Sequence, residues 1–243
     1  MIPKKIHYCW FGGNPLPEMA RHCIDSWKKY CPDYEIKEWN ETNFDLHFND
    51  YVWEAFQAKK WAFITDVVRL HALVTEGGIY MDTDVEVVKP LDSLLQYEAV
   101  SGFEAEARIP TGLMACEKGQ RLFVELLHDY EGVHFKKKDG SLDLTTNVTR
   151  ITDACNRHGF IPNGKLQTVA GFTLLPQDYL CPKDYTTKKI HLTSNTLCIH
   201  HFDGSWKSAS SKFKHTITAH LGKNTVDFIV KVKRFLKQIH LIR

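Results

Sequence analysis

The chain has 243 residues, 43% hydrophobic and 25% charged, a make-up that excludes a disordered or fibrous protein and leaves room for a sizeable core. Its formal net charge of +2 is unevenly spread: residues from Lys207 onward carry +8 and the first 206 residues −6. Seven cysteines, an odd number without any C-x-x-C pair, argue against a disulfide framework or a thiolate zinc site and for a reducing compartment.

The opening "MIPKKIHYCWFGG" lacks the apolar core of a signal peptide, and no run approaches the ~18 apolar residues of a membrane span. A cytoplasmic location is therefore expected. Lys5 to Phe11 reads as a short strand, ended by the loop "GGNPLP". Glu18 to Tyr30 reads as a helix with Met19, Cys23, Ile24 and Trp27 on one stripe, and "CPDYEIKEWN" as a turn and second strand. That order predicts a parallel α/β start. Tyr51 to Glu76 is expected to be helical, in one or two pieces, stopped by Gly77-Gly78. Helices are also expected over Gln120–Tyr130 and Asn147–His158, with short strands and turns from Phe160 to Trp206.

"GGIYMDTDVEV", Gly77 to Val87, carries the chemistry. As one strand it would send Ile79, Met81, Val85 and Val87 to one face, and Tyr80, Asp82, Asp84 and Glu86 to the other. Three carboxylates on one edge repel unless a cation sits among them. A lone D-x-D is common by chance. The preceding helix adds to it: Asp66 and Arg69 lie three apart on an otherwise apolar segment, and charged residues are seldom buried unless paired. Either they form an internal ion pair, or both face a cleft that the Gly77-Gly78 turn brings to Asp82 and Asp84. Mg²⁺ or Mn²⁺ commonly bridges carboxylates to phosphates, and a guanidinium suits phosphate or sugar oxygens.

"IPKKIHYCWFGG", "AFITDVVRLHALVTEGGIYMDTDV" and "IHHFDGSW" resemble successive blocks of glycosyltransferase family 32. This DXD-containing family includes bacterial capsular polysaccharide enzymes and yeast α-1,6-mannosyltransferases, and catalytic domains of clostridial glucosylating toxins are similar at the same blocks. The resemblance implies a GT-A, Rossmann-like α/β fold over residues 1–206, with a mixed central sheet flanked by helices. It further implies a Mn²⁺ or Mg²⁺ ion and a nucleotide-sugar donor of UDP-hexose or GDP-mannose type. The acceptor would be a glycan or lipid-linked oligosaccharide, and transfer would retain anomeric configuration.

Carried over by position, Trp10 would stack on the nucleobase, and Asp66 would hold ribose or donor-sugar hydroxyls. Arg69 would contact the sugar or diphosphate, and Tyr80 would line the donor pocket. Asp82 would touch ribose and metal, and Asp84 would be the direct metal ligand. His201 would be the late metal or diphosphate contact, chosen over His200 and with Asp203 as a competitor. Ser205 and Trp206 would close over the β-phosphate. Glu86 is expected to stand behind the ligands or in solvent. The stretches "RIPTGLMACEKG" and "TTNVTRITDA" occupy acceptor-side positions, with no single residue standing out.

Residues 207–243 read as a basic extension. "TVDFIVKVKRFLKQIHLIR" has Phe228, Val232, Phe235, Ile239 and Ile242 on one stripe and Lys231, Lys233, Arg234, Lys237 and Arg243 opposite. That pattern suits an amphipathic C-terminal helix on an anionic membrane surface, or one packed on the domain; no nucleic-acid module is visible. Two rival readings remain: a haloacid-dehalogenase-type phosphatase, whose apolar strand followed by D-x-D is also met by "IYMDTD", and a non-catalytic nucleotide-sugar-binding module.

Overall fold

The computed structural model describes residues 1–105, 107–184 and 187–204. β1 (Lys5–Cys9) leads into α1 (Glu18–Tyr30), which returns the chain to β2 (Glu35–Trp39), parallel to β1 with Lys5 opposite Glu35. α1 buries Ala20, Cys23, Ile24 and Trp27 at helical spacing, with Glu18 in its first turn and Lys28 and Lys29 in its last, as the helix dipole favours. α2 (Asp50–Gln57) is capped by Asn49, whose side chain accepts from the Val52 N–H at 2.9 Å. The expected long helix is thus two helices, the second being α3 (Trp61–Glu76).

Gly77 and Gly78 then turn the chain at φ 70° and 107°, values natural only to glycine. A Cβ on Gly78 would stand 2.7 Å from the Lys5 carbonyl oxygen, so the chain can enter beside β1 only without one. β3 (Gly78–Met81) follows, parallel to β1 with Ile6 opposite Ile79. Then come β4 (Val85–Val87), β5 (Ala99–Gly102), β6 (Leu113–Cys116), α4 (Arg121–His128), α5 (Asn147–Arg157), β7 (Gln167–Val169), β8 (Phe172–Leu175), α6 (Gln177–Leu180) and β9 (Cys198–His200).

Seven strands form one mixed sheet in the order β2-β1-β3-β6-β5-β8-β7. This is the mixed, helix-flanked sheet expected of the GT-A type. The sheet separates two cores with the period-two alternation of its strands. Ile6, Tyr8, Ile79, Met81, Leu113 and Ala115 join one cluster, with Trp27 of α1; Tyr80, Met114 and Cys116 join the other, with residues of α2, α3, α4 and α5.

One expectation needs correcting: the strand predicted to run on to Val87 stops at Met81. β4 belongs instead to a separate two-stranded sheet with β9, Val85 lying opposite His200. A central strand is covered on both faces and has no place for carboxylates at 82 and 84. The chain turns there, the Val85 N–H donating to the Asp82 carbonyl at 3.0 Å. Val85 and Val87 still reach the Ile79 and Met81 cluster, because the Trp27 indole, donating to the Val85 carbonyl at 2.7 Å, holds β4 against α1.

All seven cysteines are buried and none is joined in a disulfide. Among the described residues no helix is long and apolar enough to cross a membrane. The chain divides into two units, Met1–Asp184 with Lys189–Phe202, and Tyr185–Lys188 with Asp203–Arg243. Every element above lies in the first. The basic helix expected near the C-terminus lies outside the described residues.

Candidate active site

Because β1, β2 and β3 are parallel, their C-terminal ends share one edge of the sheet. β6 runs antiparallel to β3 and therefore begins there, while β5 and β8 end there. Trp10, Asp82, Gly112 and Glu104 thus emerge at one edge, the side on which open α/β sheets bind ligands. Trp10 is half-buried, its indole donating to the Asn14 carbonyl at 2.6 Å.

α3 supplies the first cluster. Arg69 Nη2 lies 3.2 Å from Asp66 Oδ1 and 3.4 Å from Asp82 Oδ1, so the internal ion pair and the approach to the DXD turn are both present. The rest of the guanidinium is largely engaged: Nη1 donates to the Thr111 carbonyl at 2.7 Å, Nε to Thr65, and the plane sits 4.6 Å from the Tyr80 ring centroid. Burial works against the Arg69 charge, but Asp82, Tyr80 and Asp66 outweigh it and hold its pKa above the ordinary value. Burial, partly offset by Arg69, pushes the Asp66 carboxyl up to about 6. Tyr80 is buried beneath Arg69 and donates to Asp82 Oδ1 at 2.7 Å, which orients that carboxylate.

The second cluster lies at the turn after β3. Asp82, Asp84 and His200 each present one ligand atom, all within 4.8 Å of one another. His200 Nε2 is 3.3 Å from Asp84 Oδ1, and its Nδ1 is buried without a hydrogen-bond partner. Two carboxylates and an imidazole, partly buried and converging, suit Mg²⁺ or Mn²⁺. The sequence pointed to His201 for this position, and the structure corrects that. In the register of β4 with β9, His200 turns toward Asp84, while His201 Nε2 bonds Glu86 at 2.8 Å and its N–H donates to the Asp84 carbonyl. Glu86 therefore sits beside His201, which is not among the three converging groups. Ser205 and Trp206 lie outside the described residues, and Asp203 lies in the other unit.

Three contributions escaped the sequence reading. Asn147, the first residue of α5, donates its backbone N–H to Asp66 Oδ2 at 3.2 Å and its side-chain amide to the Asp66 carbonyl at 3.0 Å. Its own Oδ1 is buried and unpartnered. The Gly112 carbonyl accepts from the Asp82 N–H at 2.8 Å, and the Thr111 carbonyl accepts from Arg69. Asn147, Thr111 and Gly112 do sit in the two stretches assigned to the acceptor side, but nothing in their spacing marks them.

Residues 17–101 match the family described as "Glycosyltransferase sugar-binding region containing DXD motif". The matched segment holds Asp66, Arg69, Tyr80, Asp82 and Asp84 but neither Trp10 nor His200. The resemblance read from the sequence is thereby shown.

Among curated relatives, inositol phosphoceramide mannosyltransferase 3 of Schizosaccharomyces pombe is 32% identical over 136 residues, 53% of this chain and 37% of that protein. Glucan organizing enzyme 1 of Cryptococcus neoformans is 49% identical over 47 residues, 19% of this chain and 13% of that protein. The chain thus spans well under two thirds of the curated relatives it matches. Among solved structures, PaToxG glycosyltransferase aligns with 20% identity and a TM-score of 0.49, covering 64% of this chain and 69% of that one.

Proposed function

We propose that this chain is a metal-dependent glycosyltransferase moving a hexose from a nucleotide-sugar of UDP-hexose or GDP-mannose type to a glycan or lipid-linked oligosaccharide, with retention. The observation that carries this reading is the Asp82, Asp84 and His200 cluster beside the Asp66–Arg69 pair, at the edge of the sheet where ligands bind.

Asp82, Asp84 and His200 would hold the ion, with His201 and Glu86 behind them. When bound, Mn²⁺ or Mg²⁺ supplies Lewis-acid stabilisation of the charge that develops on the departing diphosphate. The remaining work falls to the chain's own groups. Asp66, ionised above about pH 6, accepts from ribose or sugar hydroxyls. The unpartnered Asn147 Oδ1 beside it offers a second acceptor on the same side. Arg69 carries the positive charge that faces the leaving group, and its bonds to Asp66 and Asp82 fix the angle at which the two carboxylates meet the donor. Trp10 would stack on the nucleobase.

The setting we favour is synthesis of a capsular or other surface polysaccharide, with the basic residues 207–243 at an anionic membrane surface. A relative named for mannosyl transfer to inositol phosphoceramide, itself a lipid, is in keeping with a lipid-borne acceptor. The family match over Asp66 to Asp84 favours transfer over the phosphatase alternative.

The test is a panel of nucleotide-sugars screened by thermal shift with Mn²⁺ and with EDTA. One donor should raise Tm only with the metal, by an amount set by affinity and excess. A donor that stabilises equally in EDTA, or turnover by metal-free protein, would overturn metal dependence. Binding without hydrolysis or transfer on any acceptor would leave a non-catalytic module.

A further inference from the structure

Gly112 is unlike most glycines of this chain. Eleven glycines adopt positive φ, where the residue type follows from backbone conformation. Among the described glycines only Gly102 and Gly112 do not, so another cause must hold at 112. The cause is space. A Cβ on Gly112 would lie 2.7 Å from His200 Cε1, 2.8 Å from Nδ1 and 3.2 Å from Nε2. The imidazole occupies the volume that any side chain at 112 would take.

The ring cannot readily retreat. β9 pairs with β4 at His200 opposite Val85, and the next N–H donates to the Asp84 carbonyl, so the backbone on both sides of the imidazole is tied to the DXD turn. The Phe202 ring packs against the imidazole at 4.2 Å between centroids. The same short segment touches the other site groups through its carbonyls, Thr111 holding Arg69 and Gly112 holding the Asp82 N–H.

We propose that Thr111-Gly112 is the positioning element of the metal cluster: its two carbonyls set Arg69 and Asp82, and the bare Cα of Gly112 admits the His200 imidazole to Asp84. This rests on the metal reading above. A methyl group at 112 must push the ring back by about 0.7 Å to reach ordinary contact, well beyond the ~0.2 Å by which ligand distances vary in metal sites. Residues that orient metal ligands typically change affinity by about 10–100-fold when altered.

The experiment is a double-mutant cycle on the full chain with Gly112→Ala, His200→Ala and both together. Mn²⁺ affinity is read by titration calorimetry or electron spin resonance without donor, and folding by Tm in EDTA. We expect Gly112→Ala to weaken Mn²⁺ about tenfold or more, and to cost less than about twofold when His200→Ala is already present, because its effect passes through the imidazole. Equal affinity in Gly112→Ala and wild type overturns the proposal. So does an undiminished loss in the His200→Ala background, which would mean a general distortion. Should Gly112→Ala fail to fold, recovery of folding in the double variant carries the same conclusion, and failure of both refutes it. Wild type that binds no Mn²⁺ removes the metal reading itself, and this proposal with it.

Discussion

Asp66 with Arg69, and Asp82 with Asp84 and His200, are two charged clusters joined through a single guanidinium, yet they solve the problem of buried charge in opposite ways. On α3 the carboxylate and its counter-charge lie three residues apart on one helix, both nearly buried, and Arg69 spends most of its donors on the protein. That cluster is complete within the fold. At the turn the carboxylates face Arg69 and the His200 imidazole, are less buried, and leave a buried imidazole nitrogen unpartnered. In the function proposed above, that cluster is completed by an added ion. On that reading the first cluster is a structural commitment and the second a binding site. Substitutions in the two should therefore fail in different measurements.

The largest contrast is between Asp84→Ala and Arg69→Met. Asp84→Ala should reduce Mn²⁺ affinity by at least about a hundredfold and abolish metal-dependent donor stabilisation, while costing only about 1 kcal/mol of metal-free stability, as for a partly solvated pair. Arg69→Met removes the charge that offsets burial at Asp66, so Asp66 must either stay ionised in a dry site beside α5 or take up a proton there. Breaking one half of a buried pair costs about 3–5 kcal/mol, which urea denaturation in EDTA will register as a lower midpoint at unchanged slope. If Asp84→Ala proves the more destabilising of the two in EDTA, the division between structural and binding clusters is wrong.

Much of this was legible beforehand, for reasons that lie in particular residues. α1 was readable because Cys23, Ile24 and Trp27 keep helical spacing on a polar background. The Gly77-Gly78 stop was readable because paired glycines after an apolar helix have few other uses. Asp66 and Arg69 stood out as charge on an apolar helix. The break after Met81 was missed because Val85 and Val87 keep in phase with Ile79 and Met81, so the hydrophobic pattern runs unbroken across a turn that only pairing with β9 reveals.

His200 against His201 was undecidable for a related reason. Alternation says that one of two adjacent histidines faces the site, but the register with β4, set some 115 residues away, says which. Gly112 and Asn147 act through an absent Cβ and a backbone N–H, and neither leaves a trace in residue-type spacing.

Next in size is the pH dependence. Asp66 has a folded-state value of about 6 against the ordinary 3.8, so the folded chain holds that proton more tightly than the unfolded chain does. Its contribution to stability is present at low pH and is lost as pH rises from about 4 through 6, on the order of 3 kcal/mol in all. Carboxylates held low, such as Glu76 at about 2 beside Lys37 and Lys5, slope the other way, so the informative quantity is a difference. Subtracting unfolding free energies of Asp66→Asn from wild type at pH 4, 5, 6 and 7 should show wild type losing ground across that window. A flat difference would mean that Arg69 neutralises Asp66 more fully than its burial suggests.

The smallest expected effect tests whether the neutralised side is as dry as its contacts imply. Behind Asp66, the Tyr130 ring lies 4.6 Å from the Arg150 guanidinium and 4.9 Å from the Tyr51 ring, and its hydroxyl is buried without a hydrogen-bond partner. Tyr130→Phe keeps both ring contacts and removes only that hydroxyl. A buried hydroxyl without a partner carries a desolvation penalty and no compensating bond, so the substitution should leave stability unchanged or raise it by up to about 1 kcal/mol. Urea midpoints measured with and without a bound donor decide the matter. A loss above about 1 kcal/mol in the free chain would give the hydroxyl a partner and make the ground behind Asp66 wet. A loss confined to the donor complex would extend the binding site from the DXD turn to the far side of α3, and the two clusters would then no longer divide structure from binding.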